Sequence, residues 1–194
     1  MSSSVEDGRA RPQAVCSAGS VGPTPSSTLR FAYADPPYPG QAARWYKDQA
    51  SYAGEVDHVE LIGLLKSRYP DGWALSTSAA ALRLILALSP STARVAVWYR
   101  TNSEPPGNRG RWHWSWEPVI VVGGRQKYGE APSVRDVLNV PGLSSEAAIP
   151  GQKPPAFCRW VANLLGYQEG DEIVDLFPGS GIVGRSLEQG SLAL

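Results

Sequence analysis

Leu29-Arg30-Phe31-Ala32-Tyr33-Ala34-Asp35-Pro36-Pro37-Tyr38 is a mostly apolar run that stops at a carboxylate, two prolines and an aromatic ring. The run is short and bounded by turn formers, which suits a buried strand of a parallel sheet better than a helix. Asp35 then stands where the strand ends. Ligands of open α/β sheets bind outside the carboxyl ends of strands, so this position reads as the mouth of an active site. Two consecutive prolines hold φ near about −65° and remove two backbone donors, while their carbonyls still accept. Tyr38 adds a flat apolar face with a polar tip, suited to stacking on a planar ring. An acceptor-only side chain, stiff carbonyls and a stacking ring together suit an exocyclic amine. Asp and Pro are also common turn residues, and a plain surface turn is the competing reading.

Working outward, the spacing of Val56, Val59, Leu61, Ile62, Leu64 and Leu65 predicts a helix over 56–67, closed by Tyr69-Pro70-Asp71-Gly72. A strand over 72–77 and a helix over 78–88, stopped by Ser89-Pro90, follow. Strand, helix, strand, helix is the pattern of a parallel sheet covered on both faces. The β-branched and aromatic runs 94–99 and 117–122, joined by a turn-rich loop, predict an antiparallel hairpin at the sheet edge. Residues 123–151 read as a long connection with a short Val134-Arg135-Asp136-Val137-Leu138 insert. Then come a helix carrying Phe157, Trp160, Val161, Leu164 and Leu165, started by Pro154 or Pro155, and a strand over 172–177.

Composition bounds the function. The 194 residues suit one domain with a real core, and 42% hydrophobic with 19% charged residues is ordinary for a soluble globular protein. A net charge of +0 gives no global attraction to nucleic acid, so any such binding is local. Residues 1–28 are rich in Ser, Gly, Pro and Ala without an apolar pattern, and read as a flexible tail. No stretch approaches a membrane helix, and no signal-peptide core is present. Cys16 and Cys158 fit a reduced, cytoplasmic setting, and no zinc-ligand spacing exists.

The window 94–127 is locally basic. Arg94, Arg100, Arg109, Arg111, Arg125 and Lys127 face only Glu104 and Glu117, a net of +4. Four of the seven tryptophans, Trp98, Trp112, Trp114 and Trp116, fall in it with His113. Basic residues interleaved with aromatics resemble a surface that grips phosphates and stacks bases. Against this, the spacing of Trp112, Trp114 and Trp116 by two predicts one buried strand face. Arg109 and Arg111 on the loop suit phosphate contact as well as plain solvation. Trp45 and Tyr46, in the loop after Tyr38, suit contact with a ligand or packing onto the body. His113 reads as a structural residue.

The second chemical signal comes late. The strand ending Asp175-Leu176-Phe177 runs into Pro178-Gly179-Ser180-Gly181-Ile182-Val183-Gly184, a bare-backbone loop of the kind that approaches nucleotide-like ligands at a helix start. Gly179, Gly181 and Gly184 match the dinucleotide fingerprint G-x-G-x-x-G. That fingerprint needs an acidic residue about 20 positions on, and the given chain stops before that, at Leu194. Within the given residues only the glycine half of the fingerprint is matched, so a dinucleotide is not the expected ligand.

Taken together, Asp35-Pro36-Pro37-Tyr38 and Phe177-Pro178-Gly179-Ser180-Gly181 resemble the motifs of the S-adenosylmethionine-dependent DNA amino-methyltransferases, D-P-P-Y for the target amine and F-x-G-x-G for the cofactor. The target motif comes far ahead of the cofactor motif, and Gln152-Lys153-Pro154 stands before the last helix, as in the permuted group of that family. The resemblance implies a three-layer, Rossmann-like α/β fold over 29–194, circularly permuted and short at its C-terminus. It also implies S-adenosylmethionine as cofactor, DNA as partner and adenine N6 as target, with no metal. Asp35 and the Pro36 carbonyl, stiffened by Pro37, would accept the target amine, and Tyr38 would stack on the flipped base. Asp175, Phe177, Gly179, Ser180 and Gly181 would line the cofactor, with Lys153 at its methionine carboxylate. Arg109, Arg111 and Trp45 are the expected DNA contacts.

The chain departs from the family at three places. Within the given residues no acidic ribose ligand follows the glycine loop and no histidine stands directly ahead of Gln152, and a large target-recognition domain is not expected. Transfer to RNA or to a protein amide, or a truncated non-catalytic nucleic-acid-binding relic, are the alternatives.

Overall fold

Six strands form one sheet in the order β5-β3-β4-β2-β1-β6 in the computed structural model. The structure describes residues 28–38, 56–103, 114–126, 133–143 and 152–178. In chain order the elements are β1 (Arg30–Ala34), α1 (His58–Arg68), β2 (Gly72–Ser76), α2 (Leu82–Leu88), β3 (Arg94–Arg100), β4 (Trp116–Gly123), β5 (Val137–Val140), α3 (Pro155–Leu165) and β6 (Glu172–Asp175). The tail 1–27, and with it Cys16, lies outside the described residues, as do Trp45, Tyr46, Arg109, Arg111, Trp112, His113, Gly179, Ser180 and Gly181.

β1 pairs in parallel with both β2 and β6, which makes it an interior strand, and its residues from Phe31 to Ala34 are buried. Its alternation divides the core. Phe31 and Tyr33 join Trp98, Phe157, Trp160 and Val161 on the α3 side. Ala32 and Ala34 face the other way, where their small size leaves room for Leu61, Ile62, Leu65, Trp73 and Ile85 under α1 and α2. Helices on both faces give the three layers expected from the sequence. Phe157 is fully buried at the centre of an aromatic group, its ring centroid 5.1 Å from Trp98, 5.7 Å from Trp160 and 6.1 Å from Tyr33. Such tilted and edge-on pairs each add about 0.5–1.5 kcal/mol beyond burial.

Local chemistry sets the helix ends. The Asp57 carboxylate accepts from the amides of Val59 and Glu60 at 2.8 and 3.1 Å, an N-cap that stabilises α1 by about 1 kcal/mol. Pro155 occupies the first turn of α3, where its missing N–H costs nothing. Gly166 closes the same helix at φ 70°, and a Cβ there would come 2.8 Å from that of Arg125. Both constraints select glycine.

Arg125, just past β4, and Asp171, just before β6, close the end of the sheet opposite Asp35. The guanidinium donates to both Asp171 oxygens at 2.7 and 2.8 Å, and the same carboxylate accepts from the amides of Leu29 and Gln168. Burial works to raise the Asp171 pKa, but these donors outweigh it and hold the carboxyl below its ordinary range. A depressed carboxyl contributes stability above its unfolded value and loses it as pH falls through the folded one. Asp171→Ala is therefore expected to cost about 2 kcal/mol at pH 7. The gap to wild type in urea unfolding should close in strong acid, and a gap that does not change with pH would contradict this account.

Several sequence expectations are corrected. The antiparallel hairpin is not at the edge: β4 lies between β2 and β3, and β5 pairs in parallel outside β3, from Val97 opposite Val137 to Arg100 opposite Val140. The strand β5 falls within the expected long connection, where half-exposed alternation at an edge leaves only a weak signal. The helix expected over 78–88 begins at Leu82, because Ser78 takes the Ala81 amide into a turn first.

Trp114 is 55% exposed and Trp116 half-buried, so they do not form a buried face. Trp116 pairs with the exposed Tyr99, beyond the reach of the α1 and α2 layer, which covers Val95, Ile120 and Val122 further along. The basic window is divided: Arg94 and Arg125 sit at the end opposite Asp35, and Arg125 serves Asp171. No helix among the described residues is long and apolar enough to cross a membrane.

Candidate active site

Strand direction assembles the site. β1 and β2 run parallel, so Asp35 and Ser76 reach the same edge of the sheet. β4 runs against them and delivers its first residues, Trp116 and Glu117, to that edge. The Thr77 amide donates to the Pro118 carbonyl at 3.1 Å and continues the pairing there. β6 lies on the other side of β1 with Tyr33 opposite Asp175, and the Leu176 amide donates to the Tyr33 carbonyl at 2.9 Å. Asp35 and Phe177, distant in the chain, therefore leave adjacent strands at the same level.

Lys153 closes the group. Gln152, Lys153 and Pro154 precede α3, and the extended Pro154 (φ −69°, ψ 152°) turns the lysine back over the sheet edge. Its Nζ lies 3.1 Å from Asp35 Oδ2 and 2.8 Å from Glu117 Oε1. The ammonium also stands 5.9 Å from the Trp98 ring centre and 5.7 Å from that of Phe157. A lysine side chain only 7% exposed is rare, and two carboxylates with two aromatic faces supply what water would otherwise give. Below them the Tyr33 hydroxyl shares a 2.9 Å hydrogen bond with Ser76 Oγ.

This crowding moves the titrations. Burial raises Asp35, with Lys153 pulling the other way and Glu117 and Asp175 adding repulsion, so that its pKa is pushed up to about 6. Burial also works to lower Lys153, but Asp35 and Glu117, joined by Tyr38 and Tyr33, outweigh it and hold the ammonium well above the ordinary lysine range. Tyr38, hydrogen-bonded to Glu117, is raised chiefly by burial. Asp175 is raised by burial too, although its carboxylate accepts from the Phe177 amide at 3.0 Å. Two carboxyl groups, from Asp35 and Glu117, thus surround the single Lys153 ammonium.

Of the residues singled out from the sequence, the structure gathers Asp35, Pro36, Pro37 and Tyr38 with Lys153, and sets Asp175 and Phe177 beside them. Lys153 faces two carboxylates rather than open space. Pro36 is buried, while Pro37 and Tyr38 are partly exposed. Trp45, Arg109, Arg111, Gly179, Ser180 and Gly181 lie outside the described residues.

Glu117 is the residue that the sequence reading passes over, where it counts only as a charge in a basic stretch. Its signal is nonetheless present. A single carboxylate opening the buried run Glu117-Pro118-Val119-Ile120-Val121 requires a partner.

No protein-family model matches the sequence, and a search of curated proteins finds no match. Among solved structures the chain resembles the M1.HpyAVI–SAM complex, with a TM-score of 0.59 and 15% identity over 84% of this chain and 79% of that one. It resembles M1.HpyAVI alone with a TM-score of 0.54 and 17% identity over 84% and 78% of the two chains. At such identities the likeness is one of fold, a mixed six-stranded α/β sheet with helices on both faces.

Proposed function

We propose that this chain transfers a methyl group from S-adenosylmethionine to the exocyclic N6 amine of adenine in DNA, with its motifs in the permuted order. One observation carries the reading: two motifs far apart in the sequence leave neighbouring parallel strands at one edge of the sheet. An amine acceptor at Asp35 thus stands beside the strand that leads into the glycine loop. The composition of the site fits the cofactor, since two carboxyl groups around a single ammonium suit a sulfonium.

When bound, S-adenosylmethionine supplies an electrophilic methyl group on a positively charged sulfur. Asp175 and Phe177, with Gly179, Ser180 and Gly181 beyond them, are assigned to hold it. An ammonium has three donors, so after Asp35 and Glu117 the third donor of Lys153 is assigned to the methionine carboxylate.

The work of the chain itself is alignment. Lys153 holds Asp35 Oδ2, which orients the carboxylate so that Oδ1 accepts one amine proton. The Pro36 carbonyl accepts the other and cannot swing away, because both flanking φ angles are fixed. Held in this way, the amine lone pair points along the line of attack, and positioning supplies most of the rate. The methylated nitrogen then sheds a proton, and Asp35, with a pKa of about 6, takes it before release to water. The Tyr38 ring stacks on the base, which must leave the duplex to reach the pocket. Arg109, Arg111 and Trp45 are assigned to the phosphates and bases around it.

Protonated Asp35 is a poor acceptor for an amine. The kcat/KM for DNA should therefore be flat above pH 7 and fall about tenfold per unit below an inflection near pH 6. A flat profile down to pH 5 contradicts the role of Asp35.

The decisive test pairs two measurements on the intact protein. Calorimetry with S-adenosylmethionine should show binding, and its absence sinks the proposal. Tritiated methyl transfer to unmethylated DNA, with RNA in parallel, should label adenine N6 in DNA. Label in RNA alone moves the substrate class and leaves the chemistry.

A further inference from the structure

Glu117 stands at the meeting point of two connecting segments. It is 8% exposed and sits on β4, a strand paired on both sides and therefore fixed. It binds the Lys153 ammonium at 2.8 Å, from the segment before α3, and the Tyr38 hydroxyl, from the segment after β1. Neither contact is needed to close the sheet, whose ladder is complete through Tyr99 opposite Trp116. A buried carboxylate costs stability unless paired, so a residue with no task beyond packing would be apolar at this position.

We infer that Glu117 is a positioning residue, which anchors Lys153 against Asp35 and sets the Tyr38 ring over the target base by holding both from the rigid strand. The inference rests on the methyl-transfer reading of the site. In it, Lys153 cannot follow the substrate as a free lysine would. Asp35 keeps one oxygen engaged and the other aimed outward, and Tyr38 has its hydroxyl end tied while its ring face is offered to the base.

The same contact couples charge. Asp35 faces Lys153 from the α3 side, Glu117 from β4, Asp175 from β6, and Tyr33 and Tyr38 from its own strand and loop. Removing the Glu117 charge takes away a repulsion and leaves Lys153 to Asp35 alone. Asp35 must then titrate at lower pH.

Glu117→Gln keeps the size and removes the charge, and Glu117→Asp keeps the charge and withdraws it by one methylene. Both are read in two ways on the full chain: by steady-state methyl transfer to DNA across pH, and by carboxyl 13C titration of Asp35. Glu117→Gln should lower kcat about a hundredfold at pH 8 while the KM for DNA stays near wild type. Its Asp35 midpoint, and with it the acid limb of kcat, should move below the wild-type position. Glu117→Asp should also lower kcat, with a smaller change in the midpoint. Wild-type kcat in either variant, or an Asp35 midpoint that does not move in Glu117→Gln, overturns the inference. Wild-type protein that transfers no methyl group sinks the proposed function instead, and the Asp35 midpoint in Glu117→Gln still decides whether Glu117 governs this carboxylate.

Discussion

Asp35→Asn should lower methyl transfer to DNA by about a thousandfold and leave S-adenosylmethionine binding within a few-fold of wild type. The substitution keeps the size of the side chain and replaces an oxygen by an NH2 group. Where Asn presents that group to the substrate amine, a donor meets a donor. Where it presents the group to Lys153, the ammonium loses its acceptor at 3.1 Å. Either rotamer fails one of the two contacts, and the loss of a single preorganised hydrogen-bonding group at a reacting centre costs about 10²–10³ in rate. The acid limb near pH 6 should disappear from whatever activity remains, because the group that titrates there is gone. Tritium transfer and calorimetry on the same preparation check this. Activity within tenfold of wild type removes Asp35 from the chemistry, while loss of cofactor binding as well assigns it to the cofactor side of the site.

The largest stability effect is expected at Lys153. Lys153→Met fills the same space and continues to pack on Trp98 and Phe157, but it leaves Asp35 and Glu117 facing each other without a cation. Removing one partner of a buried ion pair costs about 3–5 kcal/mol. The cost depends on pH with a definite sign. Without the ammonium that opposes the effect of burial, Asp35 takes up a proton more readily still in the folded state than in the unfolded chain, so folding binds a proton and stability falls as pH rises through its raised pKa. The deficit relative to wild type should therefore be greater at pH 8 than at pH 5, as measured by urea unfolding at both. An equal deficit at the two pH values shows that lost packing, not lost charge, destabilises the variant.

The two ends of the sheet use charge differently. At the end opposite the site, Arg125 and Asp171 tie the starts of β1 and β6 to the end of β4, and each charge meets well-aligned donors or acceptors. At the site end two carboxylates share one ammonium. The first arrangement depresses a carboxyl pKa and the second raises one. The raised carboxyl belongs to the end assigned to the reaction, where an acid near neutrality can exchange protons.

Much of this is legible in the sequence because the signals are local. The apolar run 29–34 ends at Asp35 by its own composition, and it forms β1. Asp57 and Pro155 start α1 and α3 through contacts within a few residues. The glycine loop and the Asp-Pro-Pro-Tyr stretch are each readable as backbone chemistry. Residue order alone is enough for an α/β fold and for a carboxylate at the carboxyl end of a buried strand.

Only the tertiary structure decided which residues that carboxylate meets. Asp35, Glu117 and Lys153 belong to three widely separated parts of the chain. Whether their side chains converge depends on β4 running against β2, and on the segment before α3 turning over the same edge. Periodicity reports how a strand faces its own neighbours and carries no information about strand order. It could not place β4 inside the sheet, put β5 outside β3, or show that Trp116 reaches past the helix layer. Pairing order is a property of the whole chain, set by which faces can be buried together. That order turned an isolated acidic residue into a site with one lysine held between two acids.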